Sequence, residues 1–163
     1  MVLVEVNPEG IPDYLTERPQ WVVWRIEKRD GKPTKVPYDA TTDKQASTTD
    51  LMTWVGFWQA INAYEEGGYD GGVYHGVGFV LSSGDPFVGI DFDDCRNPDT
   101  GEVDPDVAAI VARFGHRYVE VSPSGTGLHL ITRGSFKGGK RSGKMEMYGQ
   151  DRFFTITGVS PDA

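Results

Sequence analysis

Hydrophobic and polar positions along the chain follow two different periods, and each stretch predicts an element. Gln20–Glu27 (QWVVWRIE) is β-branched and aromatic and reads as a strand. The polar stretch Lys28–Asp50, with Gly31, Pro33 and Pro37, reads as a long loop or hairpin. Leu51–Glu66 predicts a helix: Trp54, Trp58, Ile61 and Tyr64 recur at helical spacing, Thr49 or Asp50 caps the start, and Gly67–Gly68 stops it. Val77–Ser82 and Phe87–Asp93 are short apolar runs around a Ser-Gly-Asp-Pro turn, which predicts a hairpin. Asp104-Pro105 opens a second helix through Phe114, with Val107, Ile110, Val111 and Phe114 on one face and Gly115 closing it. Strands follow at Arg117–Ser122, Leu128–Thr132, Lys144–Tyr148 and Phe153–Thr157. Residues 1–19 hold three prolines and read as an extended lead-in with one turn. The order predicts an α+β fold, mostly antiparallel, with helices packed on one sheet face.

Composition narrows the function. The 163 residues suit one domain, and 38% apolar with 25% charged residues fits a soluble globular chain. No run approaches the roughly 18 apolar residues of a membrane span, and no signal peptide is visible. The single cysteine, Cys95, excludes a disulfide framework and a multi-cysteine zinc site, and points to a reducing, cytoplasmic compartment. A net charge of −8 argues against nucleic-acid binding by bulk positive charge, though not against a local basic groove. The signs separate late in the chain. Asp91 to Asp106 carries seven acids against Arg96, and Arg133 to Arg152 carries six bases against Glu146 and Asp151. That suits a metal site beside a phosphate site, and equally two solvated loops of opposite charge.

Three local patterns carry chemistry. In Gly-Ile-Asp91-Phe-Asp93-Asp94 the apolar run ends in acids, and strand alternation projects Asp91 and Asp93 together, about 6.5–7 Å apart. Two carboxylates converging at about 4 Å would repel by roughly 4 kcal/mol at an effective dielectric of 20, which a divalent cation would offset. Oxygen-only ligands favour Mg²⁺ or Mn²⁺ over zinc. An Asp-rich turn fits the same residues. Ser122-Pro-Ser124-Gly125-Thr-Gly127-Leu-His129 is a small-residue turn feeding an apolar strand. It suits a triphosphate held by backbone N–H groups and one imidazole, or an ordinary hairpin with a core histidine. In Lys144-Met-Glu146-Met-Tyr148 alternation sets Lys144, Glu146 and Tyr148 on one face; Glu146 is a third candidate ligand, while Lys144 and Arg152 can meet phosphate oxygens. A cross-strand Lys–Glu pair explains that pattern as well. Gly134–Lys140 imitates a P-loop, but Arg141 stands where Ser or Thr must bind magnesium and no helix follows, so it is rejected. His75 and His116 have no partners at metal-ligand spacing, and Cys95 reads as a small buried residue.

The order of these motifs resembles the archaeo-eukaryotic primase superfamily, most closely the primase–polymerase (prim-pol) domains at the N-termini of virus- and plasmid-encoded replication proteins. The stretches concerned are GIDFDDC (89–95), SPSGTGLHLI (122–131) and MEMYGQDRFFTITG (145–158), with WRIEKRDGKPTKVPYD (24–39) and ASTTDLMTW (46–54) also alike. The resemblance implies one catalytic domain over 1–163: an RRM-like sheet over 76–158 joined to an N-terminal αβ unit over 1–75. It implies template-directed transfer of a nucleotide from a dNTP or NTP to a 3′-hydroxyl, in plasmid or viral DNA replication. Asp91, Asp93 and Glu146 would hold two Mg²⁺ or Mn²⁺ ions. His129, Ser122, Ser124, Gly125, Gly127, Lys144 and Arg152 would position the nucleotide, and Arg25, Lys32 and Lys35 would contact DNA template or primer.

Two other readings share these residues. A metal-dependent nuclease would use the same carboxylates to activate water, and a single-strand binding module would stack bases on Tyr148 and Phe154. The chain stops five residues after Gly158, which fits a domain of a longer replication protein with a helicase downstream.

Overall fold

The computed structural model describes residues 2–67, 73–115 and 117–162. His116 and Gly68 lie outside the described residues. The fold is α+β and its strand pairs are antiparallel, as expected, but the strands form two sheets. Sheet I has the order β2-β1-β3-β9, from β1 (Trp21–Arg29), β2 (Lys32–Tyr38), β3 (Gly76–Leu81) and β9 (Arg152–Ile156). Sheet II has the order β5-β6-β4-β8-β7, from β4 (Phe87–Phe92), β5 (Arg117–Val121), β6 (Leu128–Arg133), β7 (Gly139–Ser142) and β8 (Met145–Tyr148). Sheet I thus draws β3 and β9 from beyond residue 75, and the two sheets interleave along the chain.

The first polar stretch resolves as a hairpin. Asp30 and Gly31 both take positive φ, 50° and 77°, the backbone twist that a two-residue connection between antiparallel strands requires. Arg29 and Lys32 close the ladder on either side.

Three expectations are corrected. The helix expected over Leu51–Glu66 is a short 3-10 turn, Leu51–Thr53, then a break, then α2 over Phe57–Glu66. The break has a cause: Val55 exchanges backbone hydrogen bonds with Trp21 at 2.8 and 3.0 Å, so the chain is extended there. Asp50 caps the 3-10 turn, accepting from the Met52 N–H, while Gly67 closes α2 at φ 85°. The buried face of α2 is Phe57, Ala60 and Ile61, and Trp58 is 62% exposed. Likewise, β3 and β4 do not form a hairpin. The edges of β3 are taken by β1 and β9, and those of β4 by β6 and β8. Asp85 makes the crossing by accepting from the Ser82 and Phe87 N–H groups, while Gln20 also donates to it.

Helices do not share one sheet face either. A short helix α1 (Asp13–Thr16) precedes β1, and Leu15 joins α2 in the main core with Trp21, Val23, Val77 and Phe79. The other long helix, α3 (Pro105–Ala112), covers sheet II through Val111 against Ile90, Phe92, Leu128 and Leu130. Because side chains alternate along a strand, Asp91, His129, Glu120 and Glu146 point to the opposite face of sheet II, away from α3. Phe154 of β9 crosses to that face and lies on Gly89, where an added Cβ would come within 3.0 Å of its ring. Among the described residues no helix is long and apolar enough to cross a membrane.

Candidate active site

Five strands of sheet II place one ionisable side chain each in a single cross-strand row. Glu120 pairs with His129, His129 with Asp91, Asp91 with Glu146, and Glu146 with Arg141. Directly opposed residues in antiparallel strands share a face and sit close, so register alone gathers them.

The row is anchored at its buried end. Glu120 is fully buried and accepts hydrogen bonds from the Tyr118 hydroxyl at 2.6 Å and from the Thr157 and Gly158 N–H groups at 2.9 Å each. Its other oxygen lies 3.1 Å from His129 Nδ1. Donation from Nδ1 to that carboxylate fixes the ring and turns Nε2 toward Asp91, 3.5 Å away. Phe154 packs on the same imidazole, ring centroids 4.6 Å apart. Burial, reinforced by Glu120, pushes the Tyr118 phenol well up, so it remains a donor.

In the middle of the row, burial raises the Asp91 carboxyl above its ordinary range, and Asp93 and Glu146 add to that, while His129 and Lys35 oppose it. Lys35 crosses from β2 of the other sheet. Although much of its side chain is exposed, the desolvation it meets beside the cleft lowers its ammonium, and Asp91 and Asp93 oppose the shift. Lys35 also rests near the Trp24 ring, 5.5 Å from its centroid.

At the open end, Arg141 holds Glu146 at 2.7 Å and stands 4.0 Å from Asp93, which is half exposed just beyond β4. Among the described residues no three His, Cys, Asp or Glu side chains are grouped so as to hold a metal ion as they stand. Glu146 instead pairs its carboxylate with the Arg141 guanidinium.

Arg152 links the surrounding space. A cleft of about 180 Å³ is lined by Lys35, Asp91, His129, Tyr148, Arg152 and Phe154, among others. A second hollow of about 400 Å³, with Lys140, Arg141 and Glu146, also reaches Arg152 and Tyr148. A third of about 570 Å³ runs from Arg152 to the hydroxyl-rich loop at Ser47 and Thr48. Arg152 itself lies over the Tyr148 ring at 4.6 Å.

Not every expected residue reaches this cleft. The hydroxyls of the 122–127 turn bond one another, Ser122 to Ser124 at 3.1 Å and Ser124 to Thr126 at 2.9 Å, and Ser122 also accepts from the Gly127 N–H. Gly125 does take positive φ, 78°. Gly127 is required for another reason: a Cβ there would meet the Phe92 carbonyl oxygen at 2.5 Å. Lys144 donates to the Asp94 carbonyl at 2.9 Å, beside the row. Arg25 is held over the Tyr38 ring and paired with Glu27 and Asp43, and Lys32 is exposed at the hairpin tip. Cys95 is buried, as expected. His75 accepts from the Ile26 N–H.

Glu120 and Arg141 were missed as site residues by sequence reasoning. Glu120 carries a usable signal, an acid flanked by Val119 and Val121 inside a strand that precedes the histidine strand. Arg141 carries none, because its role depends on β7, a strand of exposed residues with no apolar alternation.

This α+β arrangement, with Asp-x-Asp closing one strand, a histidine on its neighbour on one side and an acid on its neighbour on the other, is compatible with the primase–polymerase class. The chain is 33% identical, over an alignment of 154 positions that covers 88% of the chain, to the DNA primase-polymerase of Nitratiruptor phage NrS-1, and is thus related to the primase–polymerases. It spans 20% of that phage protein. No family model matches the chain.

Proposed function

We propose that this chain is the catalytic unit of a DNA primase–polymerase, which transfers a nucleotide from a dNTP or NTP to a primer 3′-hydroxyl opposite a template. The observation that carries the reading is the row Glu120–His129–Asp91–Glu146, with Asp93 two residues on from Asp91. A single-strand binding module has no use for carboxylates gathered where phosphates must lie. The relationship to a phage primase-polymerase supports the same reading.

The donor set is of the kind Mg²⁺ or Mn²⁺ takes, since Asp91, Asp93 and Glu146 offer only oxygen, and a cation there would have to displace Arg141 from Glu146. Two such ions, when bound, lower the pKa of an attacking hydroxyl and neutralise charge on the leaving pyrophosphate. The chain's own residues bind and align. Arg152 and Lys35 meet phosphate oxygens from the sheet I side, and His129, held by Glu120, presents Nε2 to the triphosphate. Lys35, expected on the DNA, is better used here; Arg25 is engaged by Glu27 and Asp43, which leaves Lys32 for a backbone contact. The 122–127 turn is closed on itself, its hydroxyls and the Ser122, Gly125, Thr126 and Gly127 N–H groups all being occupied, so its part is to set the start of the His129 strand. A cytoplasmic setting and a helicase segment elsewhere in the whole protein complete the proposal.

Primer extension tests it. Wild-type protein is incubated with primer–template, each nucleotide type and Mg²⁺ or Mn²⁺, beside Asp93→Ala. Extension by the wild type alone supports the reading. Extension by both or by neither overturns the catalytic assignment, and degradation of DNA without added nucleotide would replace it with a nuclease.

A further inference from the structure

At the far end of sheet II from the acidic row lies a cavity of about 480 Å³ that the proposed chemistry does not use. Phe87, on its wall, and Asp91 are four steps apart along β4, a distance of roughly 13 Å. Tyr14, Phe87 and Ile131 form the apolar part of the wall, and Arg117 and Arg133 the cationic part. Arg18 adds a third guanidinium, 5.0 Å from the Phe87 centroid, with Arg133 5.7 Å from the same ring. Phe87 is buried and Tyr14 is 38% exposed, so Tyr14 is the ring with a face to offer.

Charge makes this place unusual. The chain has an excess of eight acids over bases, yet these three arginines form no ion pair among the described residues. Asp13 and Glu17, on and just after α1, are close in sequence and still make no ion pair with them. Arg117 spends one N–H on the Phe114 carbonyl and keeps the rest of its fork. Arg18 and Arg133 lie against the Phe87 ring and Arg117 is tied to the Phe114 carbonyl, all without a carboxylate partner among the described residues; such guanidinium groups suit an oxyanion, and the volume suits a single nucleotide.

We propose that this cavity holds one nucleotide unit of a single DNA strand, its phosphate on Arg117 and Arg133 and its base on Tyr14. The assignment rests on the polymerase reading for the identity of the strand, but not on the acidic row. It gives the protein a grip on DNA separate from the site of chemistry.

The test is anisotropy of a fluorescein-labelled oligothymidylate, titrated with full-length chain between 50 and 200 mM salt. Replacing both arginines, Arg117→Ser with Arg133→Ser, is expected to weaken binding about tenfold or more and to reduce the log–log salt slope by about 1.4, for two lost phosphate contacts on a single strand. Tyr14→Ala is expected to weaken binding severalfold with the slope unchanged. A charge-keeping pair, Arg117→Lys with Arg133→Lys, retains the slope and guards against misfolding of the serine variant. Unchanged affinity and slope in the serine variant overturn the proposal while leaving wild-type primer extension untouched. Failure of the wild type to bind the oligonucleotide also overturns it, and the polymerase reading is then judged by the Asp93→Ala comparison alone. Competition by free thymidine monophosphate as strong as by the oligonucleotide, per nucleotide, assigns the cavity to a mononucleotide and overturns the strand.

Discussion

Asp91 carries the clearest conflict between stability and use. Its carboxyl is raised mainly by burial, and a group whose folded pKa is raised lends stability that is fully present below its unfolded value and lost as pH rises through the folded one. At neutral pH the ionised Asp91 therefore costs the cation-free protein stability. Asp91→Asn is expected to melt higher than wild type at pH 7, by about 2–4 °C for each 1 kcal/mol of relief, with the gap closing as pH falls into the carboxylate range. Thermal melts across pH check this, and a variant less stable than wild type at pH 7 contradicts it. Glu120 is the opposite case. Its carboxylate satisfies the Tyr118, Thr157 and Gly158 donors as well as His129. Glu120→Ala leaves those donors buried without an acceptor, each costing about 1–3 kcal/mol, so a loss of about 3 kcal/mol or more is expected by urea denaturation. Glu120→Gln keeps one acceptor oxygen and should lose about half as much while still misdirecting His129.

At the scale of elements, α2 separates what periodicity can read from what it cannot. Helical spacing put Trp54, Trp58, Ile61 and Tyr64 on the core face, and the break at Val55 shifted the face to Phe57, Ala60 and Ile61. Phe57→Ala is accordingly expected to cost about 3–5 kcal/mol and Trp58→Gln to lie within about 0.5 kcal/mol of wild type, read as midpoint shifts in denaturant. The reverse ranking would restore the uninterrupted helix. The same limit explains the other misreadings. A bridge from Trp21 to Val55 is a contact between distant segments, invisible to local pattern, and so is the choice of β3 and β4 to join separate sheets. The site was more legible because alternation alone fixes a strand's faces. Asp91, His129 and Glu146 lie on odd or even positions of apolar strands, and their shared face follows once the strands pair. Their order across the sheet, and Arg141 at its end, needed the register.

For the molecule as a whole, the proposed function raises the question of how a chain of net charge −8 would hold DNA. Long-range attraction is of the wrong sign, so affinity must come from a few short contacts, and those set the salt dependence. Of the described cations, Arg25, Arg29 and Arg141 are paired with carboxylates, and Lys35 and Arg152 line the cleft beside Asp91. The described cations without a carboxylate partner also include Lys28, Lys44, Arg96, Arg113, Lys137, Lys140 and Lys144; the ones assigned to the strand are the three arginines of the far cavity and Lys32. About four phosphate contacts imply a log–log salt slope no steeper than about −3 for single-stranded DNA. Anisotropy between 50 and 200 mM salt measures it directly. A slope near −6 would demand about eight contacts, twice those four, and would mean that further cations of the chain also meet the strand. A slope near −3 that survives EDTA unchanged would place the grip on the arginines and leave divalent cations to the chemistry. That division matters for the whole protein: the acidic row can then stay poorly suited to bind DNA by itself, with the strand held elsewhere while nucleotide and cations enter the cleft.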